Sequence, residues 1–291
     1  MDRRTLLIGA SALAGSGATA PAVLSQDRYP SRPIKLVIPF PPGGPTDMLG
    51  RRYGEKLSAV LGQPVVIDNK AGAGGILGAD LVAKSRPDGY TLLLGSSSTQ
   101  VTGPLLMPNP PYHPVKDFTL FIIGFVPMVI SCNPGLPAST LPEFVALLRA
   151  NPDRYRYASS GMGSIGHLGG ELFKLKAGRL VSLHVPYKGN NPAVQAAVVP
   201  ELPSTVECGL PDVLVSTVNP VALPAGAPAD VVSTIAEATR RIMADETLQA
   251  DLRALSIEPI ADADPVKSAA YFSAEMERWA PIIKASGAKM E

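Results

Sequence analysis

The stretch IKLVIPFPPGGPTD, residues 34–47, decides the fold. Its first five residues form an apolar run that predicts a buried parallel strand, and the Pro/Gly block after it cannot continue a strand. Helical spacing then runs to Leu57, with Thr46 or Asp47 as the expected N-cap. This order leaves backbone N–H groups at the positive end of a helix dipole. Because the turn lacks a lysine and the P-loop pattern, we expect it to bind a carboxylate rather than a nucleoside triphosphate.

Strand and helix signals alternate from residue 34 onward, which is typical of a parallel sheet with crossover helices. The predicted strands after the first are Val65–Asp68, Thr91–Gly95, Tyr155–Ala158 and Leu183–Tyr187. The predicted helices are Ile76–Lys84, Leu141–Ala150, Ile165–Leu175, Asn190–Val199, Pro228–Leu255 and Asp264–Ile283. The run from Phe121 to Ile130 is long enough to pass from one domain to another. The 46% hydrophobic and 5% aromatic content suits an α/β protein.

The first 25 residues predict an export signal. A basic start, Met1–Arg4, precedes a short apolar segment and then small residues. We expect cleavage near Ser25, because Pro21 disfavours cleavage after Ala20. Arg3 and Arg4 resemble a twin-arginine signal, and a general secretory signal remains open. The apolar segment is too short and too rich in Gly and Ala to span a membrane well, so we expect export to the periplasm.

Charge and metal-ligand content exclude several classes of partner. The formal charge of +1 comes entirely from residues 2–4, so the mature protein is near neutral and lacks the basic excess that nucleic acid or an anionic membrane requires. Three histidines and two cysteines in no ligand spacing predict no metal and no cofactor. Cys132 and Cys208 could pair in an oxidising compartment, and spacing alone leaves this open.

Several motifs in one order resemble the Bug family, the solute-binding proteins of tripartite tricarboxylate transporters. They are Tyr29–Ile34, Pro39–Asp47, Asn69–Gly75, Pro87–Leu92, Ser159–Leu168, Val185–Gly189 and Trp279–Lys284. The resemblance implies an α/β, two-lobed periplasmic binding protein-like fold with mixed, mostly parallel sheets and flanking helices. It places lobe 1 at residues 26–126 with 222–291, and lobe 2 at residues 127–221. It also implies a monomer that delivers a small organic acid to membrane transporter subunits.

The resemblance further implies that two turns grip a carboxylate between the lobes. The first grip falls on Phe40, Gly43, Gly44, Thr46 and Asp47. The second falls on Ser159, Gly163, Ser164 and His167. Five further residues are expected to line the same strand ends: Ala73, Gly74, Ser97, Thr99 and Tyr187.

The chain departs from the family after about Val199. The resemblance implies that a strand, a helix and a second strand should follow there, but Pro200–Pro211 already resembles a later segment. Roughly 35–40 residues are missing, about one βαβ unit. We therefore expect a smaller second lobe, and a decayed or repurposed member that binds a protein partner, such as a sensor, is the alternative to a solute receptor.

A hydrolase is less favoured. A nucleophile elbow needs glycines two residues before and after the serine, and Ser164 and Ser97 each lack one of them. The helix that carries His167 turns Leu168 and Leu172 to the core, which favours a hydrogen-bonded structural histidine over a catalytic base. We expect no enzymatic activity.

Overall fold

The computed structural model describes residues 29–152, 154–197 and 215–289 of the 291. The expected signal peptide and Cys208 lie outside these ranges, as does the segment that resembles a later part of the family. Cys132 is buried.

A six-stranded sheet forms the larger part of the molecule. Its spatial order is β2-β1-β3-β7-β4-β8. The strands are β1 Ile34–Ile38, β2 Val65–Asn69, β3 Thr91–Leu94, β4 Phe118–Pro127, β7 Ser216–Pro224 and β8 Glu258–Pro259. β1 pairs in parallel with both β2 and β3, whereas β7 is antiparallel to β3 and β4, and β8 is antiparallel to β4. Four of the six strands therefore run in one direction.

Helices cover both faces of this sheet. They are α1 Pro45–Leu61, α2 Ile76–Ala83, α3 Gly103–Leu106, α7 Ala229–Met243, α8 Glu246–Ala254 and α9 Pro265–Ser286. Successive residues of β1 face opposite sides: Leu36 packs in the core under α1, α7 and α8, and Val37 in the core that includes residues of α2 and α9. A strand buried on both faces needs a continuous apolar run, which is what IKLVI provides.

A smaller parallel sheet pairs β5 Arg156–Ser159 with β6 Leu183–Pro186. Its helices are α4 Leu141–Ala150, α5 Ile165–Lys176 and α6 Asn190–Ala197. The lobe boundary expected between residues 221 and 222 falls inside β7, so the division into lobes stays a prediction. Within the described ranges, no helix is long and apolar enough to cross a membrane.

In the larger sheet and its helices, one predicted helix was wrong and one central strand was missed. The helix predicted from Pro228 to Leu255 is two helices, because the Asp245 side chain accepts a hydrogen bond from Leu248 N–H and starts α8. The central strand β7 was not predicted. It contains Pro220, and proline in a central strand ordinarily argues against the assignment. Here Pro220 pairs with Ile122 at a register irregularity in β4, where the missing N–H is tolerated.

Candidate functional site

A cavity of about 80 Å³ lies where the carboxyl ends of β1 and β3 meet the turns that follow β5 and β6. The chain leaves β1 towards β2 on one side and later returns to β3 on the other, so the gap between these strands is a topological switch point. Ligands of open α/β sheets bind at such points. Its lining residues are Phe40, Pro41, Pro42, Gly44, Pro45, Thr46, Asp47, Ser96, Ser98, Met128, Ser160, Ile165, Gly166, Lys188, Gly189, Asn190, Asn191, Pro192 and Thr217.

The turn after β1 ends in a helix without a side-chain cap. The N-cap of α1 is Gly44, in an extended conformation, and Pro45 occupies the first helical position. The expectation that Thr46 or Asp47 would be the N-cap was wrong, because Pro45 already fits the first turn with its fixed φ. With no capping side chain, the N–H groups of Gly44, Thr46 and Asp47 remain available beside the cavity.

Asp47 holds this turn from behind. Its carboxylate accepts hydrogen bonds from Gly43 N–H at 2.9 Å, Arg51 Nε at 2.8 Å and Asn69 Nδ2 at 2.9 Å. Burial tends to raise the pKa of Asp47, but the hydrogen bonds from Arg51, Gly43 and Asn69 outweigh it and the pKa is lowered. Asp47 is therefore an ionised group whose charge Arg51 balances. Gly43 N–H donates its hydrogen bond to Asp47, so that amide is not available to a ligand.

The turn after β5 is capped. Ser164 is the N-cap of α5, and its hydroxyl oxygen accepts a hydrogen bond from His167 N–H. Gly163 N–H donates to His167 Nδ1 at 3.2 Å. Ile165 N–H donates to Ser98 Oγ at 3.0 Å. In the first turn of α5, the Gly166 amide is therefore the one that donates to no side chain of the described residues.

Two hydrogen bonds tie the turn after β5 to the segment after β3, where a π-helical turn spans Ser98–Thr102. The first is the Ser98 bond to Ile165, and in the second Thr102 Oγ1 donates to the Gly163 carbonyl at 2.7 Å. Ser98 and Thr102 are both buried. The turn after β5 is thus anchored to the larger sheet as well as to its own helix.

A pair of stacked histidines lies beneath the second turn. The rings of His167 and His184 are 4.0 Å apart between centroids, and Ser159 Oγ lies 2.7 Å from His184 Nε2. Burial, followed by the neighbouring His167, lowers the pKa of His184 to about 4. Burial also lowers the pKa of His167. Both imidazoles are therefore neutral near pH 7, which suits support of the turn rather than binding of an anion.

A third helix, α6, begins at the cavity. Asn190, Asn191 and Pro192 of its first turn line the space, and Asn191 Nδ2 donates to the Gly43 carbonyl at 3.3 Å. Lys188 lines the cavity just before this helix and its side chain is exposed. Within the described ranges, Lys188 forms no ion pair or side-chain hydrogen bond.

Four of the fourteen predicted site residues line the cavity: Phe40, Gly44, Thr46 and Asp47. Those predicted around the second turn lie one layer behind it: Ser159, Gly163, Ser164 and His167 are buried among the bonds described above, with Ser160 and Gly166 at the surface of the cavity. The residues predicted in this turn are thus its buried ones, whereas Ser160 and Gly166 of the same turn reach the cavity.

The remaining predicted residues support the neighbouring strand ends. Thr99 is buried, and its hydroxyl bonds to Ser96, which lines the cavity. Ser97 Oγ accepts from Val218 N–H in β7. Ala73 and Gly74 both have positive φ, and a Cβ on Gly74 would lie 2.9 Å from the Met162 carbonyl oxygen. Tyr187 N–H donates to the Ser159 carbonyl. The role of all fourteen in ligand binding stays a prediction.

Sequence reasoning missed Ser96, Ser98, Lys188 and Asn191 as cavity-lining residues. Lys188 stood inside the motif Val185–Gly189, and a lysine next to a predicted helix start was a usable signal. Ser98 could not have been distinguished from its serine neighbours, because the π-helical turn decides which of them faces inward. Within the described ranges, no group of three or more metal-ligating side chains comes together.

Comparison with known proteins gives concordant results. Residues 49–198 match the family model described as tripartite tricarboxylate transporter family receptor. The protein BugT of Bordetella pertussis is 32% identical over 100% of this chain and 99% of its own length. The solved periplasmic binding protein BugD is 28% identical, with a TM-score of 0.84 over 90% of this chain and 100% of that one. The R. palustris protein Rpa4515, solved with adipate, is 29% identical, with a TM-score of 0.83 and the same coverages. The two-lobed, mixed α/β periplasmic binding protein-like fold is confirmed by these neighbours.

The alignment with BugT also bears on the missing segment. It runs over 329 positions, 38 more than the 291 residues of this chain, yet reaches both ends of the two proteins almost completely. The gap positions in this chain are therefore internal and total 38, while their placement in one segment after Val199 stays a prediction.

Proposed function

Because this chain belongs to the tripartite tricarboxylate transporter receptor family, we propose that it is an exported receptor that captures a small carboxylate in the cavity described above. One observation carries the proposal. The first turn of α1 lacks a side-chain cap and presents its amides to a cavity at the switch point of the sheet. Backbone N–H groups at a helix N-terminus are a natural binding site for a carboxylate.

The electrostatics of the cavity support an anionic ligand. Helices α1, α5 and α6 all begin at it, and each helix N-terminus carries roughly half a positive charge. Of the described residues that line it, Asp47 and Lys188 carry a charged side chain, and Arg51 balances Asp47. The unbalanced field is positive, so a dicarboxylate suits the site well. The related Rpa4515 was solved with adipate, which is a dicarboxylate.

The proposal extends to location and partners. The basic and apolar start of the sequence favours cleavage near Ser25 and release into the periplasm. Membrane subunits of a tripartite tricarboxylate-type transporter are the expected receivers of the ligand. Capture and delivery require no catalytic group, and we assign no enzymatic activity.

The internal shortfall of 38 positions favours a second candidate function. A member that has lost one βαβ unit could serve as a protein-partner or sensor module without solute binding. The coding DNA around residues 199 and 200 discriminates between the candidates. An out-of-frame copy of the missing unit would show that the sequence is a damaged version of a longer receptor.

The test is a thermal-melting panel on the mature protein, with succinate, malate, adipate, citrate, glutamate and benzoate. At a ligand concentration of 100 times Kd, the stabilisation should be about 2.7 kcal/mol, which raises the melting temperature by several degrees. The matched controls are diols of the same chain length, which lack the negative charges. A folded protein whose melting temperature responds to none of the acids would overturn the proposal.

A further inference from the structure

A buried amide lies behind the carboxylate-binding turn. Asn219 belongs to β7, and its side chain is fully buried. Its Nδ2 donates to the Gly95 carbonyl at 2.9 Å and to Thr46 Oγ1 at 3.2 Å. Asn219 therefore joins the ends of β3 and β7 to the first turn of α1.

The orientation of this amide follows from its partners. A backbone carbonyl can only accept a hydrogen bond, so the atom that faces Gly95 must be the nitrogen. The same nitrogen faces Thr46, and Thr46 Oγ1 must then be the acceptor of that second bond. The Asn219 Oδ1 atom has no hydrogen-bond partner within the described residues, so satisfying the oxygen is not what sets the orientation.

The consequence falls on the hydroxyl proton of Thr46. Because the oxygen already accepts from Asn219, its proton must point elsewhere. Thr46 is more than nine-tenths buried, it lines the cavity, and no protein acceptor for its proton is found within the described residues. The open direction is the cavity itself, beside the free amides of α1.

We infer that Asn219 is a positioning residue that holds the Thr46 hydroxyl as a hydrogen-bond donor to the ligand carboxylate. The inference rests on the proposed function, since it needs an acceptor in the cavity. Asn219 does not touch the ligand. It acts through Thr46, and it removes the alternative in which the hydroxyl offers its lone pairs to the cavity and repels the carboxylate.

The experiment is a double-mutant cycle measured by calorimetric titration with whichever of succinate, malate or adipate gives the largest melting shift. Thr46→Val and Asn219→Leu should each weaken binding by about three- to tenfold, which is the usual loss for one hydrogen bond. The double variant should bind no more weakly than either single variant, because both changes remove the same bond. Thr46→Ser should retain most of the affinity.

A lower melting temperature does not by itself reveal the positioning role. Asn219→Leu deprives the Gly95 carbonyl of its donor, so this variant should melt at a lower temperature even without ligand. A purely structural role would lower the stability and leave the coupling with Thr46→Val absent. Thr99→Val is the matched control: it removes a buried hydroxyl that bonds only to Ser96, and its effect on affinity should be independent of Thr46→Val.

The positioning role is overturned if the fold-losses of affinity of Thr46→Val and Asn219→Leu multiply in the double variant. It is also overturned if folded Asn219→Leu binds the ligand as tightly as the wild type does. In both cases the receptor function stands. Failure of the wild type to bind any of the three acids overturns the receptor function, and the positioning role with it.

Discussion

Two glycine turns in this protein are alike in sequence and differ in what they do with their backbone amides. PPGGPT after β1 and SSGMGS after β5 both join a strand to a helix start. The first turn begins its helix without a cap and keeps amides for the cavity. In the second turn, side chains of Ser98, Ser164 and His167 accept hydrogen bonds from three of the amides, and the Gly166 amide is left without such a partner. The choice of capping residue, rather than the glycines, separates an anion-binding turn from an anchoring turn.

The largest expected effect breaks the first turn. Gly44 has a φ of −83°, and a Cβ built there meets no atom within 4 Å, so Gly44→Val should fold normally. The new side chain should block close approach of a carboxylate to the amides. Because a hydrogen bond to a charged group contributes roughly 1.5–3 kcal/mol, calorimetry should show a loss of affinity of about ten- to a hundredfold.

The matched control lies in the second turn. A Cβ on Gly166 would make only ordinary contacts, with Met128, Ser159 and Ser164, so Gly166→Ala should change affinity much less. Equal affinity of wild type and folded Gly44→Val would show that the ligand lies elsewhere, and the contrast between the turns would lose its meaning.

The next effect concerns the anchor of the second turn and should appear in stability. Thr102→Val keeps the side-chain shape but leaves the buried Gly163 carbonyl without its donor. An unsatisfied buried group costs about 1–3 kcal/mol, so the melting temperature should fall by several degrees. Thr234→Val, which removes an exposed hydroxyl bond within α7, should cost far less. If Thr102→Val lowered the free energy of ligand binding by more than the free energy of unfolding, the assignment of this turn as an anchor would be contradicted.

The last effect is a pH dependence that also belongs to the second turn. The pKa of His184 is about 4 in the folded protein, below the ordinary value of about 6.5. As the pH falls, the unfolded chain therefore takes up the proton before the folded protein does. The free energy of unfolding is highest above pH 6.5 and decreases as the pH falls towards 4. Glu171 opposes this shift and Lys174 adds to it.

Urea unfolding at several pH values would measure this dependence. His184→Phe keeps a ring against His167 and removes the titration, so its stability should fall less steeply between pH 6.5 and 4. If the free energy of unfolding depended on pH equally in the wild type and in His184→Phe, the histidine pair would not be the source of the pH dependence.

Much of the fold could be predicted because its signals are local. The strand Ile34–Ile38 and the helix Leu141–Ala150 have the bounds that their patterns indicated. The strand β7 escaped prediction because its stability comes from pairing with β3 and β4, which are distant in sequence. The break before α8 escaped because the helical pattern continues across Asp245, and only the cap reveals the interruption.

The sequence predicted which turns lie at the candidate site, but only some of the residues that line its cavity. The turn after β1 was recognised from strand, glycine and helix signals, and four of the five residues predicted there line the cavity. The inward or outward direction of each residue in the second turn depends on α5 being anchored through Ser98. Asn219 was out of reach for the same reason as β7, since its partners Thr46 and Gly95 lie more than a hundred residues away.

The long ladder between β4 and β7 has a mechanical consequence. The two strands pair from Phe118 with Pro224 to Pro127 with Ser216, so the chain leaves the large sheet and returns to it at adjacent points. Met128 and Thr217, at that end, line the cavity. Two neighbouring crossings favour bending of the small sheet about this end over twisting, and the core that α5 shares with α9 limits how far the bending can go. We therefore expect capture and release of a ligand to proceed by one rotation about the end of this ladder.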